Sequence, residues 1–229
     1  MTDLKNRSSY AISTDCAIFA YSQEELKVAL IQRKNLPYKG KWAIPGGFIE
    51  GDETLEEGAA RELFEETHIK DVYLEQFHCF SAPKRDPRGR VITVAFFALV
   101  NPDHYEISAS ADAEKVQWWE IHNLPPLAFD HQKMMEMALE SLKKSITLNP
   151  IGFELLPKEF TLSQFQKLYE ILLEKSIDKR NFRKKISRFN FIKETGKVTE
   201  GDRHRPAKLY SFDSKKYKRF SKEGFYFDL

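Results

Sequence analysis

Three glutamates of one predicted helix have the chemistry and spacing of a metal site. Glu62, Glu65 and Glu66 stand at positions i, i+3 and i+4, which share one face of a helix. Like charges at this spacing repel each other by roughly 0.2–0.5 kcal/mol per pair. A divalent cation that prefers hard oxygen ligands, Mg²⁺ or Mn²⁺, would remove this repulsion. The alternative interpretation is a solvated acidic face that binds nothing.

A capped helix that follows a glycine turn is predicted to position these carboxylates. Thr54 is the predicted N-cap, and Glu57, three residues later, completes a capping box. Apolar residues recur at helical spacing and are predicted to face a core: Leu55, Ala59, Leu63 and Phe64. The preceding Gly46-Gly47 turn allows the backbone to approach a ligand closely.

The whole stretch resembles the Nudix box, a motif of the form G-x5-E-x7-R-E-U-x-E-E-x-G-U in which U is aliphatic. The matching positions are Gly47, Glu53, Arg61, Glu62, Leu63, Glu65, Glu66 and Ile69. The last glycine of the motif is replaced by His68, which we expect to end the helix in the left-handed conformation. The resemblance implies a Nudix fold. It also implies that Glu62, Glu65 and Glu66 hold the metal and form, with Arg61, the catalytic motif. We expect Arg61 to fix the helix by pairing with a nearby carboxylate.

An arginine-rich loop is the predicted effector contact. Residues 81–90 place one lysine and three arginines in a Pro/Gly turn, where charged hydrogen bonds could hold phosphates. The alternative is an ordinary hairpin loop with solvated charges. The run resembles the R-D-P-R-G-R-V segment of Nudix members that handle ADP-ribose and of their regulatory relatives. This resemblance implies that Arg88 and Arg90 contact phosphate or ribose. Gly47, in the turn where the backbone can approach a ligand, is the third predicted effector-binding residue.

Charge divides the chain into two parts with different expected partners. Residues 1–150 contain 17 Lys and Arg against 23 Asp and Glu, a net charge of −6. Residues 151–229 contain 19 against 11, a net charge of +8, which suits a polyanion or a merely solvated basic surface. No stretch resembles a signal peptide or a membrane span, and Cys16 and Cys79 form no metal or redox motif. We therefore expect a cytoplasmic protein without a membrane partner.

Apolar periodicity predicts an α/β domain in the acidic part. Strands are predicted at 12–20, 27–33, 72–82 and 90–100, and a helix at 130–146. Residues 147–152 are predicted to be a linker. Together with the resemblance to the Nudix box, these elements predict a mixed-sheet α/β/α Nudix sandwich over residues 1–149, followed by a small winged helix-turn-helix domain over residues 150–229.

The basic part has the layout of a winged helix. A helix capped by Thr161 is followed by a turn and by a basic amphipathic helix that buries Phe182, Ile186 and Phe189. Two short strands then enclose a basic loop. Arg pairs bidentately with guanine and Asn with adenine in the major groove, and lysines contact phosphates. The predicted DNA-binding residues are Lys179, Arg180, Asn181, Arg183, Lys184, Arg188, Arg203 and Arg205. A small basic helix–hairpin packed on the first domain is the alternative.

Residues 155–170, 178–185 and 205–210 resemble the winged-helix half of Nudix-related transcriptional regulators. The resemblance implies a regulator that binds operator DNA as a homodimer and senses ADP-ribose or a pentose sugar. It does not select the effector, the operator, the target genes or the direction of regulation.

Two other functions stay open at the level of sequence. The first is a Mg²⁺-dependent Nudix pyrophosphohydrolase of the ADP-ribose type, because every charged position of the box is retained. In Nudix enzymes a glutamate outside the box often acts as general base, and the unranked acidic candidates are Glu106, Asp112 and Glu114. The second is a hydrolase of single-stranded nucleic acid or capped mRNA, which explains the basic part less well.

Overall fold

A computed structural model describes residues 10–102, 105, 107, 113–199 and 206–222. Four residues named above lie outside these ranges: Glu106, Asp112, Arg203 and Arg205. The chain divides into two compact units. The second contains the residues from Glu140 onward together with Phe19–Lys27 and the segment from Leu99 to His104.

A seven-stranded mixed sheet forms the framework of the acidic part. Its strands are β1 (Ala11–Ser22), β2 (Glu25–Arg33), β3 (Trp42–Ala43), β4 (Gly46–Phe48), β5 (Tyr73–Phe80), β6 (Val91–Val100) and β7 (Ala113–Glu120). The main path runs β3-β2-β1-β6-β5, with β4 paired to β1 and β7 paired to β2. The four strands predicted from apolar runs are confirmed.

The centre of this sheet is apolar on both faces. From Val94 to Val100, β6 is buried without interruption, and β1 is buried from Ser13 to Ala20. Continuous burial without alternation is typical of a strand that is covered on both sides. This covered centre provides rigid strand ends beside which a site can be built.

Helix α1 (Leu55–Thr67) carries the three glutamates and has the predicted capping box. Its C-cap residue His68 lies in the left-handed region, with φ 61° and ψ 16°, as the sequence predicted. Ala59 and Leu63 are buried. The prediction for Phe64 is wrong, because its ring is 43% exposed and lies beside the His68 ring instead.

Helix α2 (His131–Leu148) follows the sheet, and its buried stripe is Met134, Met135, Ala138, Leu142 and Ile146. The linker prediction for residues 147–152 is wrong in part. Helix α2 continues to Leu148, and a 3₁₀ helix begins at Pro150 and ends at Leu155. Gly152 in this 3₁₀ helix is buried so closely against Tyr169 that a Cβ atom would lie 2.9 Å from the ring. The domain boundary at 149/150 stays a prediction.

The basic part folds as the predicted winged helix. Its elements are β8 (Phe160–Thr161), α3 (Leu162–Leu173), α4 (Lys179–Ile186), β9 (Ile192–Val198) and β10 (Lys208–Phe212). The sheet order is β8-β10-β9, with antiparallel pairs. Phe153 and Phe165 pack with ring centroids 4.5 Å apart, and Phe165 contacts Phe182 of α4 at 5.3 Å. An additional helix α5 (Ser214–Lys222), which sequence analysis did not predict, follows β10. No helix in the described ranges has both the length and the apolar character needed to cross a bilayer.

Candidate functional site

Arg61 connects the carboxylates of the box to one another. Its Nε and Nη2 atoms donate to the two Glu53 oxygens at 2.9 and 2.6 Å, and Nη2 also donates to the Phe48 carbonyl at 3.0 Å. Its Nη1 donates to Glu62 at 2.9 Å and to Glu65 at 3.2 Å. The hydrogen bonds from Arg61 lower the pKa of Glu53 to about 2. Arg61 therefore has the helix-fixing contacts expected from the sequence.

Glu66 binds the backbone of the glycine turn. The Gly46 amide donates to Glu66 Oε2 at 2.7 Å. The side chain is buried, and this burial raises the pKa of Glu66 to about 8. Gly47 is needed for a second close approach, because a Cβ atom there would lie 2.2 Å from Glu62 Oε1. The glycine turn therefore packs against two carboxylates of α1 at once.

This arrangement does not bring the three glutamates together as ligands. Glu62 and Glu65 accept from Arg61, whereas Glu66 accepts from Gly46. Within the described part of the chain, no group of three His, Cys, Asp or Glu side chains is arranged to hold a metal ion. Assignment of Glu62, Glu65 and Glu66 as the metal set, and of Arg61 with them as catalytic, stays a prediction.

The raised pKa of Glu66 leads to a prediction about stability. A carboxyl group that titrates near 4.5 when unfolded and near 8 when folded binds its proton more tightly in the folded protein. Its stabilising contribution is complete below about pH 4.5 and is lost as the pH rises to about 8. We expect the free energy of unfolding, relative to Glu66→Gln, to fall with a slope approaching about 1.4 kcal/mol per pH unit.

Urea denaturation at pH 5, 6, 7 and 8 would measure this difference. Glu56→Gln, on the exposed side of the same helix, is the control, and its difference from the wild type should not change in the same way. If the Glu66→Gln difference is independent of pH, burial does not control this carboxyl group.

A cavity opens beside the glycine turn, and its walls are polar and charged. The lining residues are Ser13, Asp15, Arg33, Ile44, Gly46, Gly47, Phe48, Arg85, Asp86, Arg88, Thr93, Phe129 and His131. Its volume is about 90 Å³. Three arginines and two acids, Asp15 and Asp86, line it, and because burial favours the protonated form of Asp15, the wall favours an anionic group of a ligand.

Arg85 forms the floor of the cavity. Its side chain is only 5% exposed, and its Nε and Nη2 atoms donate to Asp130 at 3.0 and 2.7 Å. Its Nη1 atom donates to the Thr93 hydroxyl, which shares a 2.6 Å hydrogen bond with Ser13. The buried guanidinium is therefore held in one orientation by groups from three segments of the chain.

Arg33 and Arg88 lie over the same aromatic ring. Their guanidinium carbons lie 4.9 and 5.6 Å from the centre of the Phe129 ring, and Arg88 also lies 4.9 Å from the Phe48 ring. Asp86 accepts hydrogen bonds from the Arg88 Nε and Nη2 atoms. Burial and the nearby charge of Arg88 lower the pKa of Arg33. The charge of Arg88 is close enough to act on Arg33, and an anion bound beside the two groups would relieve their repulsion.

Asp15 and His131 form the inner wall. The Ile44 amide donates to His131 Nδ1 at 3.0 Å, which leaves Nε2 directed toward Asp15 Oδ2 at 3.9 Å. Burial lowers the pKa of His131 to about 3 and raises the pKa of Asp15 to about 7. Burial therefore favours an uncharged imidazole at His131 and a proton on Asp15, and neutral groups of this kind suit sugar hydroxyls as partners.

Two of the three predicted effector-binding residues line the cavity. Gly47 and Arg88 line the cavity, whereas Arg90 does not. The Arg90 Nη1 atom donates to the Ser81 carbonyl at 2.6 Å, and its guanidinium lies over the Tyr10 ring. Glu114, the described candidate for a general base, is exposed in β7.

The cavity residues that sequence reasoning did not single out include Asp15, Arg33, Arg85, Phe129 and His131. Arg85 lies inside the arginine-rich loop, whose composition was a usable signal. The other four come from distant segments, and no spacing in the sequence connects them.

The second candidate site is the exposed face of α4. Asp178 caps the helix by accepting from the Asn181 amide at 2.8 Å, and Phe182 and Ile186 are buried. The turn before it is fixed by Glu170, which accepts from the Ile177 amide at 2.9 Å. The predicted DNA-binding residues of this segment are all exposed: Lys179, Arg180, Asn181, Arg183, Lys184 and Arg188. This basic face fits the phosphates and base edges of a duplex.

Comparisons with protein families match both parts of the chain. A family described as the NUDIX domain matches residues 11–138, and the NrtR DNA-binding winged helix domain matches residues 152–212. The ADPR responsive transcriptional repressor NtrR of Acinetobacter baylyi is 38% identical over 210 residues. That alignment covers 90% of this chain and 83% of the relative.

Solved structures and one enzyme extend the comparison. Shewanella oneidensis NrtR bound to a 27mer DNA superposes with a TM-score of 0.79 at 35% identity, covering 88% of this chain and 93% of that one. Its Nudix domain bound to ADP ribose gives a TM-score of 0.56 at 37% identity, covering 61% and 93%. The ADP-ribose pyrophosphatase of Methanocaldococcus jannaschii is 39% identical over 134 residues, or 58% of this chain and 78% of the relative.

Proposed function

Because the chain belongs to the NrtR family of Nudix-domain transcriptional regulators, we propose that it is an ADP-ribose-responsive repressor. The observation that carries the proposal is the presence of two sites of suitable chemistry in one chain. One is a cavity lined by three arginines, and the other is an exposed basic helix of a winged-helix domain. A regulator of transcription acts where the chromosome lies, so we place it in the cytoplasm.

The cavity favours ADP-ribose over a free pentose. The diphosphate of ADP-ribose carries negative charge, which would neutralise the neighbouring cations of Arg33 and Arg88. A pentose has no such group, although its hydroxyls could bind the Asp15 and His131 wall. The charges therefore support the nucleotide as the effector.

A gel-shift and anisotropy series would test the proposal. Upstream regions of neighbouring genes are titrated with the full chain, alone and with ADP-ribose or arabinose. We expect specific binding that ADP-ribose weakens and arabinose does not change. By linkage, operator DNA must weaken ADP-ribose binding by the same factor. Absence of specific DNA binding under every condition would contradict the proposed function.

Arg88 and Arg90 form a matched pair for testing the cavity. We expect Arg88→Ala to weaken ADP-ribose binding about tenfold to a hundredfold, because a hydrogen bond to a charged group contributes about 1.5–3 kcal/mol. Arg90→Ala should change the affinity less than about threefold, since its guanidinium binds the Ser81 carbonyl outside the cavity. Isothermal titration calorimetry gives both values, and the reverse ranking would move the effector site toward Arg90.

A homodimer is the second part of the proposal. A helix-turn-helix dimer places its two reading helices about 34 Å apart, which matches a palindromic operator with half-sites one turn apart. Light scattering on the full chain, alone and with a palindromic duplex, would measure the stoichiometry. A single subunit per operator would contradict this part.

Hydrolysis of ADP-ribose is a second candidate function, favoured by the retention of every charged position of the box. Arg61 binds one oxygen of Glu62 and one of Glu65, and the Gly46 amide binds one of Glu66, so each carboxylate keeps an oxygen that could bind Mg²⁺ or Mn²⁺. Among the described residues, no three such side chains are already arranged around a metal position. Phosphate release from ADP-ribose after phosphatase coupling, compared between the wild type and Glu65→Gln, would decide. Equal background rates of phosphate release in the two proteins would contradict the hydrolase function.

A further inference from the structure

The inner wall of the cavity, formed by Asp15 and His131, has two polar side chains that binding of a diphosphate does not explain. Both side chains are buried, and both line the same cavity as Arg33 and Arg88. A diphosphate pairs with the arginines, but a carboxyl group offers it no attraction and repels it when ionised. The inner wall therefore suits a different part of the ligand.

Contacts with the surrounding chain hold the His131 ring in one orientation and one tautomer. Its Nδ1 atom accepts from the Ile44 amide at 3.0 Å, so the neutral ring carries its proton on Nε2. The Phe129 ring stacks on the imidazole with centroids 5.3 Å apart, and the His131 amide donates to the Ala128 carbonyl at 3.1 Å. The Nε2 N–H is therefore a donor in a fixed position on the cavity wall.

The glycine turn determines where the Asp15 carboxyl group lies. A Cβ atom at Gly46 would lie 2.4 Å from Asp15 Oδ1, so this oxygen packs directly against the turn. The other oxygen, Oδ2, lies 3.9 Å from His131 Nε2, a distance too long for a hydrogen bond. The donor on His131 and the acceptor on Asp15 therefore lie side by side without satisfying each other.

A hydroxyl group matches this donor and acceptor, because it can accept from an N–H and donate to a carboxyl oxygen. The adjacent hydroxyls of a ribose provide two such groups. ADP-ribose contains two riboses, of which one lies between adenine and the diphosphate and the other ends the molecule. A buried wall admits the end of a ligand more easily than its middle, so the terminal ribose fits it better.

We propose that Asp15 and His131 bind the hydroxyls of the terminal ribose of the effector. This inference rests on ADP-ribose as the proposed effector and adds the orientation of the ligand. The diphosphate lies beside Arg33 and Arg88, and the terminal ribose lies against the inner wall. A ligand without these hydroxyls leaves two buried polar groups unpaired, which is how a site built for a hydroxyl rejects analogues that lack it.

Calorimetric titration of the full chain with deoxy analogues of ADP-ribose tests the assignment, because these ligands have equal charge. We expect the wild type to bind ADP-ribose about twofold to tenfold more tightly than an analogue that lacks the 2- or the 3-hydroxyl of the terminal ribose, since one hydrogen bond contributes about this factor. The preference should fall toward one in His131→Phe and in Asp15→Ala. Arg88→Ala, the control at the diphosphate, should weaken ADP-ribose and the analogue by the same factor.

An analogue that lacks the 2-hydroxyl of the adenosine ribose shows which ribose the wall binds. This analogue should bind the wild type as tightly as ADP-ribose does. Thermal unfolding shows whether the variants fold, and if either does not, the comparison of the analogues on the wild type decides.

Two results would overturn the assignment and leave the proposed effector intact. The first is a loss of affinity confined to the analogue with the deoxy adenosine ribose, because the ligand then lies in the opposite direction. The second is an equal preference for the terminal hydroxyls in the wild type and in both wall variants, because another part of the cavity then binds them. If neither ADP-ribose nor any analogue binds the wild type, the proposed effector is wrong, and the assignment fails with it.

Discussion

Replacing both Arg180 and Lys184 by alanine is expected to lower the affinity for operator DNA at least about a hundredfold. The two side chains are four residues apart on α4, on the side away from the buried Phe182 and Ile186. A good bidentate base contact contributes about 1–3 kcal/mol, and about 1.4 kcal/mol corresponds to a factor of ten. The loss of a base contact by Arg180 and of a charged phosphate contact by Lys184, which contributes about 1.5–3 kcal/mol, therefore accounts for the expected factor.

The measurement is fluorescence anisotropy with operator and unrelated duplexes at one fixed salt concentration. The operator preference should fall together with the affinity, because α4 is expected to contact base edges as well as phosphates. Lys39→Ala with Lys115→Ala removes the same charge from exposed positions of the Nudix domain and is the matched control. The affinity for ADP-ribose should be unchanged in the α4 double variant and in the control. An equal loss in the control would indicate that net charge, rather than the α4 face, determines binding.

Replacing Asp130 by alanine is expected to destabilise the Nudix domain by about 3 kcal/mol. Arg85 is 5% exposed and donates two hydrogen bonds to Asp130, so the substitution leaves a buried cation without its carboxylate. Removing one partner of a buried pair costs about 3–5 kcal/mol, and the lower value applies because Asp130 is 24% exposed.

A second variant separates the unpaired charge from the lost packing. Arg85→Met with Asp130→Leu removes both charges and should be more stable than Asp130→Ala alone. Lys208→Ala breaks the exposed pair with Glu194 and should cost less than about 1 kcal/mol. Calorimetry of the three variants measures these differences. If Asp130→Ala costs no more than Lys208→Ala, the Arg85 pair does not stabilise the domain.

The α1 segment shows how far local sequence can predict structure. Its cap, its core residues Ala59 and Leu63, and the left-handed His68 all follow from interactions within a few residues. The same holds for α3 and α4, whose caps and apolar stripes are local. Phe64 is the exception, because helical spacing alone does not tell the core-facing positions from those at the edge of the stripe.

The sequence does not show the direction in which a side chain points. Arg88 and Arg90 are two residues apart and equivalent in composition, yet one lines the cavity and the other does not. Asp86 accepts from Arg88, and the Ser81 carbonyl accepts from Arg90. Which acceptor each arginine reaches depends on how the loop folds.

The amino-acid sequence alone determined most of the elements, the order of the two domains and the family, because caps, periodicity and the spacing of a motif are properties of neighbouring residues. It did not predict α5 or the 3₁₀ helix Pro150–Leu155. Tertiary structure alone decided which side chains share the cavity and which protons they hold. Asp15, Arg33, Phe129 and His131 meet only when the sheet and the loops assemble. Burial in that assembly, which no residue has by itself, raises the pKa of Asp15 and lowers that of His131.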